Sequence, residues 1–420
     1  MEVQLSGEER AMLAGELGPA TQLAASILCR MAPIYGATAL LPVTRAHIDG
    51  VIYTGNAGLR FAEHLADLGA RVAIPTTLNV GSVDRERWRE IGQAPEFASS
   101  ARRLGEAYLR MGAQPTFTCA PYQHGHVPAF GEQIAWSESN AVAYANSVLG
   151  ARTNRYGDYL DICCAITARV PAAGLHLDEN RLATCLVSLR GVPERLQLRD
   201  DFYPVLGYAL GARVPGETPA IAGLSVQPGS DQLKAVAAGA ASSGDVALFH
   251  LIGITPEAPT LEAAFGGSSP RRTLDLTLAD LRETRDILSS ATGDAVDVVA
   301  FGSPHCSLAE CRRLAALTQG RRAANGVQVF ITTSRAVRDL LPKNGDLADL
   351  EAFGAEVTAD TCIVVAPLVK PGARVLMTNS AKYAHYGPGL LGVGSVFGSM
   401  EECVESAVRG RVVRDDGAWN

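Results

Sequence analysis

The sequence predicts an α/β protein of several domains with mostly parallel sheets. Three observations carry that reading. Short β-branched apolar runs alternate with helical stretches, the pattern of parallel strands covered by helices on both faces. The 420 residues suffice for two to three domains of ordinary size. Hydrophobic residues make up 47% and charged residues 19%, the composition of a soluble globular chain with a sizeable core.

Taken in order, Ser6 followed by Glu9 is a capping-box spacing and Gly18-Pro19 is a stop, so the first helix lies between them. A second helix is expected to about Pro33. "HIDGVIYTG" and "ARVAIPTTLNVG" each place a β-branched run before a polar turn, with the helical "LRFAEHLADLG" between them, which makes one βαβ unit. Glu138 to Asp178 reads as mostly helical, interrupted by the polar "ARTNRYGDYLD". Within it, "WSESNAVAYANSVLGA" is an amphipathic helix with Ser137 as N-cap, which places Glu138, Ser139 and Asn140 at an anion-binding helix N-terminus. Glycine, alanine, proline and serine become frequent from Gly211 to Gly244, so a soft domain boundary is placed there. "DVALFHLIGI", "VDVVAF", "VQVFITT", "TCIVVAPL" and "RVLMT" then read as buried strands separated by helices such as "LADLRETRDILSS" and "SLAECRRLAALTQG". The expected parts are 1–211 with a helical insert, 212–300 and 301–420.

A net charge of −7 offers no basic field, so the expected partners are a small molecule or another protein, with no nucleic acid and no membrane. The acidic N-terminus has no secretory pattern, and the most apolar stretch contains Arg30 and two prolines, unlike a bilayer span. A cytoplasmic chain whose nine cysteines stay reduced is the expectation.

In open parallel sheets the reactive crevice lies outside the carboxyl ends of the strands. The residues that follow the predicted strands are therefore site candidates: Gly302 to Ser307; Thr333, Ser334 and Arg335; Thr378, Asn379, Ser380 and Lys382; and Thr76, Thr77 and Asn79. Cys163, Cys164, Cys29, Cys185, Cys311 and Cys403 read as small buried hydrophobes. Cys119, Cys306 and Cys362 sit near strand ends and turns; they are either three unrelated core thiols or the thiolates of an iron-sulfur cluster with one iron left open. Cys306 beside His305 and ahead of a helix is also a candidate nucleophile. Arg152, Asn154 and Arg155 form either a binding cluster or a solvated helix face. "TNSAKYAHYGPG" suits a carboxylate or phosphate, or is a hydrogen-bonded turn. "GVGSVFG" lacks the spacing of a dinucleotide loop.

The strings "YTGNAGLRFAEHL", "VAIPTTLNVGSVD", "TFTCAPYQ", "IAWSESNAVAYANSVLGARTNRYGDYLDI", "GSPHCSLAE", "TTSR", "ADTCIVVAPL" and "MTNSAKYAHY" together resemble the large, catalytic part of the aconitase X family, from about His47 to about Cys403. The resemblance implies an aconitase-like fold, with several α/β/α domains around a central cluster and substrate cleft. It implies an iron-sulfur-dependent dehydratase, a hydro-lyase acting on a small hydroxy acid: cis-3-hydroxy-L-proline, with mevalonate 5-phosphate as the alternative. The alanine- and arginine-rich, lysine-poor composition favours the hydroxyproline. More distant readings are a Cys/His enzyme without metal and a non-catalytic ligand-binding subunit.

By the same resemblance Cys119, Cys306 and Cys362 are the metal ligands, of a 2Fe-2S cluster in preference to a 3Fe-4S or 4Fe-4S one. Ser303 stands where many relatives have a cysteine, which leaves the third ligand open. Catalytic roles fall to Ser303, His305 and Lys382, and substrate binding to Thr77, Asn79, Ser137, Glu138, Ser139, Arg152, Asn154, Arg155, Ser334, Arg335, Asn379 and Ser380. The family's small swivelling domain, which typically carries a serine base, is expected on a separate small subunit.

Overall fold

The computed structural model describes residues 3–420. The chain's contacts separate it into two compact units that divide between Leu182 and Ala183.

The first unit opens with the expected helix, Gly7–Ala14. Ser6 and Glu9 form a reciprocal capping box, and Gly15 ends the helix in the left-handed conformation at φ 82°. Helix Pro19–Met31 follows. The strands of this unit are short: β1 (Leu40–Pro42), β2 (Ala46–Ile48), β3 (Thr76–Leu78), β4 (Ala135–Trp136) and β5 (Arg169–Pro171). β2 is the centre of a parallel sheet in the order β3-β2-β4, and β1 pairs antiparallel with β5. Helix Asn56–Asp67 joins β2 to β3 and completes the βαβ unit read from the sequence. Leu28, Ile48, Leu65, Leu78, Tyr108 and Ile162 are among the side chains that fill its core.

Two local expectations are corrected here. Helix Ser139–Tyr144 and the π-turn Ala145–Leu149 are capped by Glu138, whose carboxylate accepts from the Ala141 amide at 2.8 Å; Ser137 does not cap them. The α-helical part is buried on every face, so it is not amphipathic. Gly150 then takes φ 69° and stops the helix, and the polar segment that follows runs extended until helix Leu160–Thr167. Arg152 and Arg155 are therefore not on a helix face. The extended course is held by the Asn146 side chain, which bonds the Thr153 amide and carbonyl at 3.0 and 2.9 Å.

The second unit carries β6 (Cys185–Ser188), β7 (Pro219–Ala222), β8 (His250–Leu251) and β9 (Arg272–Asp275) in a parallel sheet of order β8-β7-β6-β9. A second parallel sheet holds β10 (Val298–Cys306), β11 (Gln328–Thr333), β12 (Ala355–Ala359), β13 (Val375–Thr378) and β14 (Gly394–Phe397), in the order β12-β11-β10-β13-β14. Chain order reverses between β10 and β13, which makes their carboxyl ends the switch point where such sheets bind ligands. Of the strands expected, "TCIVVAPL" is not one. The strand lies upstream in "AEVTA", because Asp360 at φ 65° turns the chain out of the sheet and Cys362 begins a turn.

The glycine-rich stretch around Gly211 is a packed helix pair. Helix Phe202–Arg213 lies against helix Ser230–Gly244, and a Cβ at Gly207 would stand 2.2 Å from the Val236 carbonyl oxygen. The break expected at 211 falls inside the first of these helices, and that expected at 300 falls inside β10. Small residues serve close helix approach there, in place of a linker. Among the described residues no helix is long and apolar enough to cross a membrane.

Candidate functional site

The carboxyl edge of the five-stranded sheet gathers most of the second unit's candidates. β10 ends in the segment Gly302 to Cys306, which contains a cis Ser303–Pro304 bond and is buried throughout. Ser380, at the end of β13, caps helix Ala381–Tyr386 by accepting from the Tyr383 amide and donates its hydroxyl to the Ser303 carbonyl across the switch point. Thr332 donates to the Gly302 carbonyl at 2.7 Å, and Thr333 donates to the Cys306 carbonyl at 2.6 Å. The strand-end turn is thus fastened from both neighbouring strands.

A cavity of about 410 Å³ opens beside this turn. Ser303, Cys306, Asn379 and Ser380 line it, together with Asp231, Lys234, Glu310 and Arg313. The last four are absent from the sequence-derived set. Lys234 is 2% exposed, and its ammonium lies 2.5 Å from Glu310 Oε2, 3.0 Å from Asp231 Oδ1 and 3.2 Å from the His305 carbonyl oxygen. Burial alone would discharge it, but Glu310 and Asp231 outweigh that and hold it well above the ordinary lysine range. Two signals could have found this group. A single lysine interrupts the apolar "LKAVAAGAA", and "SLAE" has the spacing of the capping box that Ser307 and Glu310 form.

The remaining candidates of this unit have mixed fates. His305 is 1% exposed, and its Nε2 reaches the Thr361 carbonyl at 3.0 Å. Ser334 caps helix Arg335–Arg338 by accepting from the Val337 amide at 3.2 Å, so its oxygen is engaged. Arg335 is paired with Asp360 at 2.6 Å. Lys382 is half-buried on the first turn after Ser380.

In the first unit the carboxyl ends of β2, β3 and β4 bring together Asp49, Asn79, Ser137 and Glu138. Asn79 donates to Asp49, while its own Oδ1 and the Ser137 hydroxyl are buried without a partner among the described residues. Cys119 joins this edge: the Thr118 amide bonds the Leu78 carbonyl at 3.1 Å, and Asn140 donates to the Cys119 carbonyl at 2.9 Å. Ser139 is buried and donates to Glu138 at 3.4 Å. The Thr77 hydroxyl is spent within the sheet, donating to the Ala46 carbonyl and accepting from His47 Nδ1 at 2.8 Å. Burial lowers His47 to about 3, with His126 adding to the effect, so it is neutral. Asn154 is likewise committed, bonding the Ala173 carbonyl and the Leu175 amide at 3.0 and 2.8 Å, and Arg152 is tied to Asp178. Arg155 is exposed.

The thiols divide into two kinds. Cys119 and Cys362 each keep 7% exposure in loops at the carboxyl ends of parallel strands, a placement that suits thiolate ligands. Cys306 borders the cavity but packs in the core with Cys311 and Leu314, and its hydrogen bond with Cys311, followed by burial, pushes its pKa well up. That environment disfavours Cys306 as a nucleophile. Cys163, Cys164 and Cys403 are buried as expected. Within either unit taken alone, no group of three His, Cys, Asp or Glu side chains among the described residues is close enough to hold a metal ion.

The fold and this edge define an α/β protein with hydroxyl, amide and thiol groups at the carboxyl ends of parallel strands. The family models named Aconitase X first, second and third domain match residues 2–179, 183–286 and 296–409. The chain belongs to the aconitase X family. It is 52% identical over 419 residues to a cis-3-hydroxy-L-proline dehydratase of Pseudomonas aeruginosa, covering 99% of this chain and 72% of that one. A protein of the same name from Hypocrea jecorina is 45% identical, covering 98% of this chain and 69% of the relative. The phosphomevalonate dehydratase large subunit of Methanothermobacter thermautotrophicus is 41% identical, covering 94% and 96%. Among solved structures, holo-form aconitase X of Thermococcus kodakaraensis superposes with a TM-score of 0.85 at 34% identity, covering 96% of this chain and 100% of that one.

Proposed function

We propose that the chain is the large, catalytic part of a dehydratase that converts cis-3-hydroxy-L-proline to pyrroline-2-carboxylate and water. The observation that carries the substrate choice is the 52% identity over nearly the whole chain to the Pseudomonas aeruginosa dehydratase, against 41% for the phosphomevalonate dehydratase large subunit of Methanothermobacter thermautotrophicus. The second reading, dehydration of mevalonate 5-phosphate, rests on the 41% identity to that archaeal subunit. The small swivelling subunit is proposed on the same ground, since the archaeal relatives are named large subunits.

The reaction removes the proton on C2 and the hydroxyl on C3, and the resulting enamine tautomerises to the cyclic imine. Negative charge builds toward the carboxylate as the proton leaves, so fixed donors there lower the barrier. Asn379, which lines the cavity with Ser303, and Lys382, three residues further along the chain, are assigned to the carboxylate, and the Ser303 hydroxyl to the reacting end. Ser380 and His305 act as supports, because their polar atoms hold the Ser303 and Thr361 carbonyls. The base is assigned to the small partner.

An iron-sulfur cluster, whose thiolates by family resemblance are Cys119, Cys362 and, as the third candidate, Cys306, would supply a Lewis-acidic iron for the leaving hydroxyl. The test is anaerobic co-expression with the small partner, visible absorption, and assays on both substrates. Turnover of the hydroxyproline supports the first reading. Turnover of mevalonate 5-phosphate alone replaces it with the second, and turnover of neither rejects both.

A further inference from the structure

We propose that Lys234 is a positioning residue for the site, shaping the strand-end turn through the His305 carbonyl and the Glu310 carboxylate. The proposal rests on the dehydratase reading above. Lys234 sits one turn into helix Ser230–Gly244, which glycine contacts lock against helix Phe202–Arg213. From that fixed platform its ammonium makes three contacts, at 2.5, 3.0 and 3.2 Å, to Glu310, Asp231 and the His305 carbonyl. Ser307 closes the arrangement. Its hydroxyl donates to Asp231 at 2.7 Å and its amide donates to Glu310 at 2.8 Å.

Holding the helix cap needs only Ser307 and Glu310, which already satisfy each other. The third contact has a different object: the backbone of the residue that lies between cis Ser303–Pro304 and Cys306. The ammonium also separates two carboxylates that share Ser307, so its loss leaves like charges side by side in the cavity lining. The turn would shift first, because its carbonyl is the one neutral acceptor among the three that the ammonium contacts. Substrate contacts would remain while their alignment with the reacting atoms is lost, and such misplacement affects turnover more than binding.

The experiment compares wild type, Lys234→Met and the double variant Lys234→Met/Glu310→Gln, each purified with the small partner. Amide hydrogen exchange reports the 300–310 segment, and kcat and KM are measured for cis-3-hydroxy-L-proline. Lys234→Met is expected to speed exchange in that segment at least tenfold over the rest of the sheet, and to lower kcat roughly a hundredfold with KM changed less than threefold. The double variant is expected to recover part of kcat, because one of the two unpaired charges is gone. Wild-type exchange and kcat in Lys234→Met would overturn the proposal, as would exchange raised uniformly across the second unit. Should Lys234→Met not fold, the double variant alone decides: kcat within threefold of wild type overturns the proposal, and a selective loss supports it. If the wild type turns over no hydroxyproline but the exchange difference persists, the hydroxyproline reading fails and the positioning role stands.

Discussion

The Nε2 of His305 lies 3.0 Å from the Thr361 carbonyl oxygen. A carbonyl only accepts, so this nitrogen carries a proton. The bond joins the end of β10 to the turn after β12, one residue before Cys362, and Thr361 is fully buried. Replacing His305 with alanine strands that carbonyl and should cost about 1–3 kcal/mol of stability. His305→Gln retains an N–H and should recover roughly half of that loss. Urea midpoints of the two variants check this; an alanine variant as stable as wild type would dismiss the tie.

The division of the thiols makes a sharper prediction. Cys119→Ala and Cys362→Ala should each abolish the visible absorbance of the anaerobically purified protein together with its turnover. Cys306→Ala, beside Cys311 in the core, should retain both and lose about 1 kcal/mol of stability. A colourless Cys306→Ala protein would place Cys306 in the ligand set, and a brown Cys362→Ala protein would remove Cys362 from it.

Asp161 gives the first unit a pH-dependent stability. Burial pushes its carboxyl up to about 7, against backbone donors at Gly50, Ile162 and Asp49 and with Asp158 adding to the rise. An unfolded aspartate ionises near 4. Between about pH 4 and pH 7 the folded chain therefore holds a proton that the unfolded chain has released, so stability falls as pH rises through this window and levels off above it. The slope is roughly 1.4 kcal/mol per pH unit at most. Asp161→Asn should flatten it and lower stability at every pH, because its NH2 must face a backbone donor. Denaturation at pH 5 and pH 7 checks the sign: a wild type more stable at pH 7, with the same trend in Asp161→Asn, would refute it.

What the sequence disclosed follows from which forces are local. Capping at Ser6 and Glu9, the βαβ unit around helix Asn56–Asp67, and the strand-end turns at Gly302, Thr333 and Thr378 depend on neighbouring residues or on a rule of parallel sheets. Lys234 was hidden because two of its three partners, Glu310 and the His305 carbonyl, are brought to it only by packing; the third, Asp231, is its neighbour on the same helix. The surroundings of Cys306 were hidden for a related reason. Its neighbour in space, Cys311, is five residues away along a strand-to-helix turn whose geometry the sequence does not fix. "TCIVVAPL" looked like a strand on composition, yet the left-handed Asp360 ahead of it directs those apolar side chains into a turn.

The glycine pair at the helix crossing is the strongest remaining test of how the cavity is held. A Cβ at Gly244 would stand 1.9 Å from the Gly211 carbonyl oxygen, and one at Gly207 would stand 2.2 Å from that of Val236, so in both cases the obstacle is backbone. Backbone cannot rotate aside, so Gly207→Ala must separate the helices and should cost about 1–3 kcal/mol. Helix Ser230–Gly244 carries Asp231 and Lys234, so the same variant should also lower kcat, by an amount that tracks the loss of stability. Gly7→Ala, where a Cβ meets nothing within 4 Å, is the control and should change neither. Thermal midpoints with steady-state rates at a temperature where both variants are folded separate the effects. A Gly207→Ala protein of wild-type stability would mean that the two helices have room to move apart, and Lys234 would then lack the fixed platform on which its contacts depend.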